Sequence, residues 1–199
     1  MKTLIIVDVQ NDFLPGGALA VPSGDQIIPI INQILPKFDH VFASQDWHPL
    51  HHVSFAKTHN KQVGEVLKDS GQILWPVHCV QHTNGAELSP QLKTGAIEAV
   101  FQKGVDLNID SYSAFFDNEH KKSTGLAEHL KKLKLKDLYF AGLATDYCVL
   151  YSVLDALNLG FNAFVIQDAC RAVNAKEGIR AIEKMGSFGA KVILSEIVS

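Results

Sequence analysis

The chain has 199 residues, 47% of them hydrophobic and 20% charged, with a formal net charge of −3. A chain of this length buries a full core without disulfide or metal staples, and the composition is that of an ordinary globular protein. The weak negative charge supplies no basic field for nucleic acid or anionic lipid, and no stretch approaches the roughly 20 apolar residues of a membrane span, so a small-molecule partner is expected.

Leu4-Ile5-Ile6-Val7 is a continuous apolar run, as expected of a parallel strand covered on both faces. Four apolar residues ahead of Asp8 are too few for a secretory signal. Ser23-Gly24-Asp25 opens a helix from Gln26 to Leu35, with Ile27, Ile28, Ile31, Ile34 and Leu35 at helical spacing. Val41-Phe42-Ala43-Ser44 reads as a second strand. After it, residues 47 to 96 form a long irregular region rich in His, Gly and Pro, and an irregular segment of that length usually builds a site.

Ala99-Val100-Phe101-Gln102 is a third strand. Leu126, Leu130 and Leu133 mark the apolar face of a helix whose lysines (Lys131, Lys132, Lys134, Lys136) face solvent. Leu138-Tyr139-Phe140-Ala141 is a fourth strand. Thr145 or Asp146 is placed to cap a helix running to Asn158, which Gly160 stops. A fifth strand at Ala163-Phe164-Val165-Ile166, a helix from Lys176 to Met185 and a sixth strand at Lys191-Val192-Ile193-Leu194 complete the chain. This alternation predicts an α/β fold: one domain over residues 1–199, with an open, mainly parallel six-stranded sheet and helices on both faces.

Three cysteines without regular spacing suggest no disulfide framework, which points to a reduced, cytoplasmic setting. Seven of the nine histidines (His40, His48, His51, His52, His59, His78, His82) fall between residues 40 and 82, a clustering that suggests metal ligands.

In open sheets of this kind ligands bind beyond the carboxyl ends of the strands. Asp8 follows the first strand, Asp46 and His48 the second, Lys103 ends the third, and Cys148 lies just past the fourth. Cys148 is placed in the first turn of its helix, where free amides and the helix dipole would favour a thiolate and could bind an oxyanion. A buried, inert thiol is the competing reading, and it is the one taken for Cys79 and Cys170. Asp8 is either a general base or a solvated strand-end carboxylate, and Lys103 an active-site cation or a surface lysine. Asp46 and His48 are two apart and project the same way on an extended chain; His78 could complete a set of one oxygen and two nitrogens.

Asp8-Val9-Gln10-Asn11-Asp12-Phe13, followed by Gly16-Gly17 and Leu19, resembles the opening signature of the isochorismatase-like hydrolases. Asp46-Trp47-His48-Pro49 with His52-Val53-Ser54-Phe55-Ala56 is similar to the nicotinamidase/pyrazinamidase branch of that family. So are Trp75-Pro76-Val77-His78-Cys79-Val80, Phe101-Gln102-Lys103-Gly104 and Gly142-Leu143-Ala144-Thr145-Asp146-Tyr147-Cys148-Val149. The likeness runs in order from residue 4 to about 170.

The resemblance implies a catalytic trio of Asp8, Lys103 and Cys148, and one divalent transition metal, zinc ahead of iron or manganese, held by Asp46, His48 and His78. His52 matches a position that ligates in some members and neighbours the site in others. Phe13, Trp75 and Tyr112 match the substrate pocket. A cis peptide before Ala144 is implied too, turning the Ala144 amide, with that of Cys148, towards an oxyanion. The implied reaction is hydrolysis of nicotinamide to nicotinate and ammonia through a Cys148 thioester, in NAD salvage, with pyrazinamide as a further substrate. The rival readings are an isochorismate hydrolase, an N-carbamoyl amidohydrolase and a non-catalytic metal- or ligand-binding module. The motifs leave the oligomeric state open, a homo-oligomer included.

Overall fold

The computed structural model describes residues 1–198. Six strands form one sheet: β1 (Lys2–Val7), β2 (His40–Asp46), β3 (Ala99–Lys103), β4 (Asp137–Leu143), β5 (Asn162–Arg171) and β6 (Lys191–Ile193). Their order is β3-β2-β1-β4-β5-β6, and every neighbouring pair is parallel. The apolar run of β1 has a simple cause. Leu4 and Ile6 enter the core on one face, Ile5 and Val7 the core on the other, because side chains alternate along a strand.

Helices α2 (Leu126–Lys132), α3 (Leu150–Asn158) and α4 (Ala175–Ser187) cover one face through residues such as Leu130, Val153 and Met185. Helix α1 (Ile27–Ile34) lies on the other, burying Ile27, Ile28, Ile31 and Ile34. That second layer is completed by irregular chain: Val9, Phe13, Val21, Cys79, Ala86 and Leu92 belong to the same core. The region from 47 to 96 is therefore wall as well as loop. Short helical turns and isolated bridges, Phe55 with Trp75 and His48 with Val80, hold it together.

Two expectations are corrected. Leu133 follows the last turn of α2 and is exposed rather than part of its apolar face. Neither Thr145 nor Asp146 caps a helix. Ala144 takes the cap position in extended conformation without a side-chain bond, and Thr145–Val149 make a π-helical turn ahead of α3. The Asp146 carboxylate instead accepts from the amides of Val173 and Asn174, both at 2.9 Å, and so staples this turn to the loop before α4. Gly160 does stop α3. At φ +84° it lets the amides of Gly160 and Phe161 reach the carbonyls of Leu157 and Ala156, each at 3.0 Å.

The strand order reverses at β1, so the crevice between the carboxyl ends of β1 and β4 is the topological switch point of the sheet. The two strands approach closely there. A Cβ at Gly142 (φ +133°) would stand 2.1 Å from the Val7 carbonyl oxygen. Gly142→Ala is expected to destabilise the fold by at least about 2 kcal/mol, since the Val7 main chain cannot yield cheaply. Denaturant unfolding checks this; an unchanged midpoint would mean that the contact does not set the strand spacing.

Candidate active site

Asp8 sits immediately past β1 in left-handed conformation (φ 48°), a turn that leaves it fully buried at the switch point. Its Oδ1 accepts from Ser44 Oγ at 2.7 Å, and its Oδ2 lies 2.9 Å from Lys103 Nζ. Lys103 closes β3 and is only 1% exposed, so the surface-lysine reading is excluded. Its ammonium also donates to the Ser111 carbonyl at 2.9 Å, bonds Asp46 Oδ1, and comes within 3.4 Å of Cys148 Sγ. Cys148 is buried in the π-helical turn, and single atoms of Asp8, Asp46 and Cys148 lie within 4.8 Å of one another. The structure thus brings Asp8, Lys103 and Cys148 together from three strand ends.

Charge in this cluster is set by burial and by one cation. Desolvation pushes the Asp8 carboxyl above its usual range, opposed by Lys103 and reinforced by Asp46. For Asp46 burial acts the same way, but Lys103, then His48 and His78, outweigh it and hold the carboxyl well below its usual value. Burial alone would lower Lys103; the two carboxylates keep it firmly protonated. Cys148 departs from expectation. Burial, with Asp8 and Asp46 against the lowering effect of Lys103, pushes its thiol well up. The resting sulfur is a thiol in a π-helical turn rather than a thiolate at a helix N-terminus, so deprotonation must be coupled to a base beside it.

On the other side of Asp46, His48 Nε2 and His78 Nε2 stand 3.5 and 3.9 Å from Asp46 Oδ2. These three atoms form a compact, buried set able to hold a cation. Their tautomers are fixed from behind: His48 Nδ1 pairs with the Gly104 carbonyl at 2.9 Å and His78 Nδ1 with that of Pro76 at 2.8 Å. Both Nε2 atoms are left aimed inward at Asp46, the arrangement that a metal-binding histidine requires. Burial and the neighbouring His48 drop His78 to about 4, so it is a neutral imidazole near neutral pH. One carboxylate oxygen and two imidazole nitrogens fit a divalent transition ion with open positions.

His52 is placed differently. Its ring stacks on that of His48 with centroids 4.1 Å apart, its Nδ1 meets Ser54 Oγ at 2.7 Å, and its Nε2 is buried without a hydrogen-bond partner. Its donor atoms group with His48 and Asp110, not with Asp46 and His78.

A pocket opens onto both clusters, lined by Phe13, Trp75, Tyr112 and Ala144 together with His78 and Cys148. The Phe13 ring lies 5.6 Å from that of His78, and Trp75 Nε1 donates to the Tyr112 hydroxyl at 3.2 Å. The Leu143–Ala144 peptide bond is cis. Several participants carried no role in the sequence reading. Ser44 hydrogen-bonds Asp8; its place two residues before Asp46 on one strand put it on the same face as Asp46. Asp110 and Tyr147 also line the pocket. Tyr147 adjoins Cys148, whereas Asp110 lies outside every motif that carried the resemblance.

The isochorismatase domain profile matches residues 2–197. A nicotinamidase of Acinetobacter baylyi is 45% identical over 196 residues, covering 96% of this chain and 92% of its own. Among solved structures, an Acinetobacter baumanii nicotinamidase/pyrazinamidase superposes with a TM-score of 0.95 at 42% identity, covering 100% of this chain and 98% of that one. The pyrazinamidase of Pyrococcus horikoshii in complex with zinc does so with a TM-score of 0.81 at 36% identity, over 97% of this chain and 98% of its own. Matched by the profile over residues 2–197 and by a relative 45% identical across nearly its whole length, this chain belongs to the isochorismatase family.

Proposed function

We propose that this chain is a nicotinamidase, an amidohydrolase that converts nicotinamide to nicotinate and ammonia in NAD salvage and also accepts pyrazinamide. The observation that carries the reading is the Lys103 ammonium, within bonding reach of Asp8 and Asp46 and 3.4 Å from the Cys148 sulfur. A nucleophile, a base and a cation converge there at the wall of an aromatic pocket beside a metal-binding set. A binding module has no use for such a trio. The metal set counts against an N-carbamoyl amidohydrolase and an isochorismate hydrolase.

In the proposed reaction Phe13 and Trp75 flank the pyridine ring, with Tyr112 at the pocket edge. Asp8 takes the proton of the Cys148 thiol as the sulfur attacks the amide carbonyl, and Lys103 holds Asp8 in place and offsets the negative charge. The amides of Ala144 and Cys148 receive the developing oxyanion. Protonated Asp8 then gives its proton to the departing ammonia, leaving a thioester. A water deprotonated by Asp8 hydrolyses that thioester and restores the thiol. Asp46, His48 and His78, with His52 behind them, would hold zinc in preference to iron or manganese; bound there, the ion supplies an electrophilic anchor for the ring nitrogen and a means of polarising water. Three free cysteines in a chain with this activity favour a cytoplasmic setting for a single catalytic domain.

Cys148→Ala is expected to lower ammonia release from nicotinamide by at least about a thousandfold, since no other group can form the thioester. Near-full turnover in that variant ends the scheme. Dialysis against a strong chelator should abolish turnover and zinc should restore it; full activity in the chelated, metal-free protein returns the N-carbamoyl reading. The pH profile follows from Asp8. The base works ionised and its carboxyl is raised by burial, so kcat/KM should fall with decreasing pH through a value above the roughly 3.9 of an ordinary aspartate. An acid limb at or below that value would show that Asp8 is not the base.

A further inference from the structure

The β1–β2 ladder ends at Ile6 opposite Ala43, because β1 turns away through Asp8. Strand β2 runs on to Asp46, still paired on its far side with β3. In a parallel strand the amide and carbonyl of one residue face one neighbour and those of the next residue face the other. The Trp47 amide bonds the Lys103 carbonyl at 2.9 Å, on the β3 side. The amide and carbonyl of Asp46 therefore point to where β1 would be had it continued. Main-chain groups buried without a partner are costly, so something has to take the place of the missing strand.

The Gln10 side chain takes it. Its Oε1 accepts from the Asp46 amide and its Nε2 donates to the Asp46 carbonyl, both at 2.8 Å; the second N–H bonds the Ala86 carbonyl, also at 2.8 Å. Gln10 is fully buried. A carboxamide presents one donor and one acceptor side by side, as a strand residue does, which neither a carboxylate nor an apolar chain of the same length can do.

We infer that Gln10 is a positioning residue: its carboxamide replaces the missing strand, fixes the backbone of Asp46, and so aims one carboxylate oxygen at His48 and His78 and the other at Lys103. This rests on the reading of Asp46 as a metal ligand. Gln45 provides the control. Its Nε2 also bonds the Ala86 carbonyl, at 2.9 Å, from a buried position, but its side chain makes no bond to Asp46.

The experiment compares Gln10→Glu, Gln10→Met and Gln45→Met with the unaltered chain. Zinc affinity is measured by competition with a chelating dye, and the ligand-field spectrum is recorded with cobalt. Amide exchange at Asp46 is followed in the metal-free protein. Both Gln10 variants are expected to bind zinc roughly tenfold to a hundredfold more weakly, the usual effect of removing a group that orients a ligand. Their cobalt bands should shift, and in Gln10→Met, which loses the acceptor as well, the Asp46 amide should exchange at least about tenfold faster. Gln45→Met should stay within about twofold on every measure, whatever its thermal stability. Should Gln10→Met not fold, Gln10→Glu decides, as it keeps the acceptor and the size and loses only the donors. Unchanged affinity, spectrum and exchange in the Gln10 variants overturn the inference, as does an equal loss in Gln45→Met. If the unaltered chain binds no zinc, the metal reading fails on its own, and Asp46 exchange still decides what Gln10 does.

Discussion

A single buried ammonium holds the site together. Asp8 and Asp46 sit within a few ångströms of each other out of reach of water, an arrangement that two ionised carboxylates cannot sustain alone. Lys103 lies against both and against Cys148, on a stem wholly enclosed by the core. Its effect is unequal: Asp46, which also faces His48 and His78, is driven firmly to the anion, while Asp8, desolvated and facing Asp46, stays raised. One carboxylate is thereby suited to ligate a cation and the other to carry a proton. Pairs of titratable groups whose surroundings push them apart are the usual basis of divided acid–base roles.

The sheet order makes this possible. Across the carboxyl edge the residues run Lys103 on β3, Asp46 on β2, Asp8 past β1 and Cys148 past β4. Neighbouring strands are about 4.8 Å apart, so one extended lysine side chain can reach across two of them. Asp46 and Lys103 are direct register partners. The sulfur enters from the far side of the switch point, on a turn held by the Asp146 bonds to the amides of Val173 and Asn174. Metal set and nucleophile thus share Asp46–Lys103–Asp8 as a common spine, and a disturbance at one side is felt at the other.

Around this spine the irregular region does structural work. It supplies His52 and His78, closes the second core layer and carries Trp75 into the pocket. Gly104 lets the edge of the His48 ring approach the backbone; a Cβ there would stand 2.3 Å from the ring. Few of these contacts belong to regular elements, which is why they leave so faint a trace in periodicity.

Much was legible in the residues alone. Apolar runs marked the six strands, most plainly β1 and β2, which are covered on both faces and have no polar side to display, and Ile27, Ile28, Ile31 and Ile34 marked α1. The rim position of Asp8, Asp46, Lys103 and Cys148 followed from alternation plus the rule that sites lie beyond strand ends. Spacing could not tell a surface lysine from a buried one, because Lys103 acquires its meaning only from two carboxylates brought from distant strands. It could not foresee the π-helical turn, nor that Asp146 would bond the amides of Val173 and Asn174 instead of capping, since that choice depends on which amides happen to be unpaired nearby. The thiol state of Cys148 and the place of His52 behind His48 are likewise outcomes of packing. The order of amino acids determines local preference and which groups are available; burial and distance, which decide their charge and partners, exist only once the chain has closed on itself.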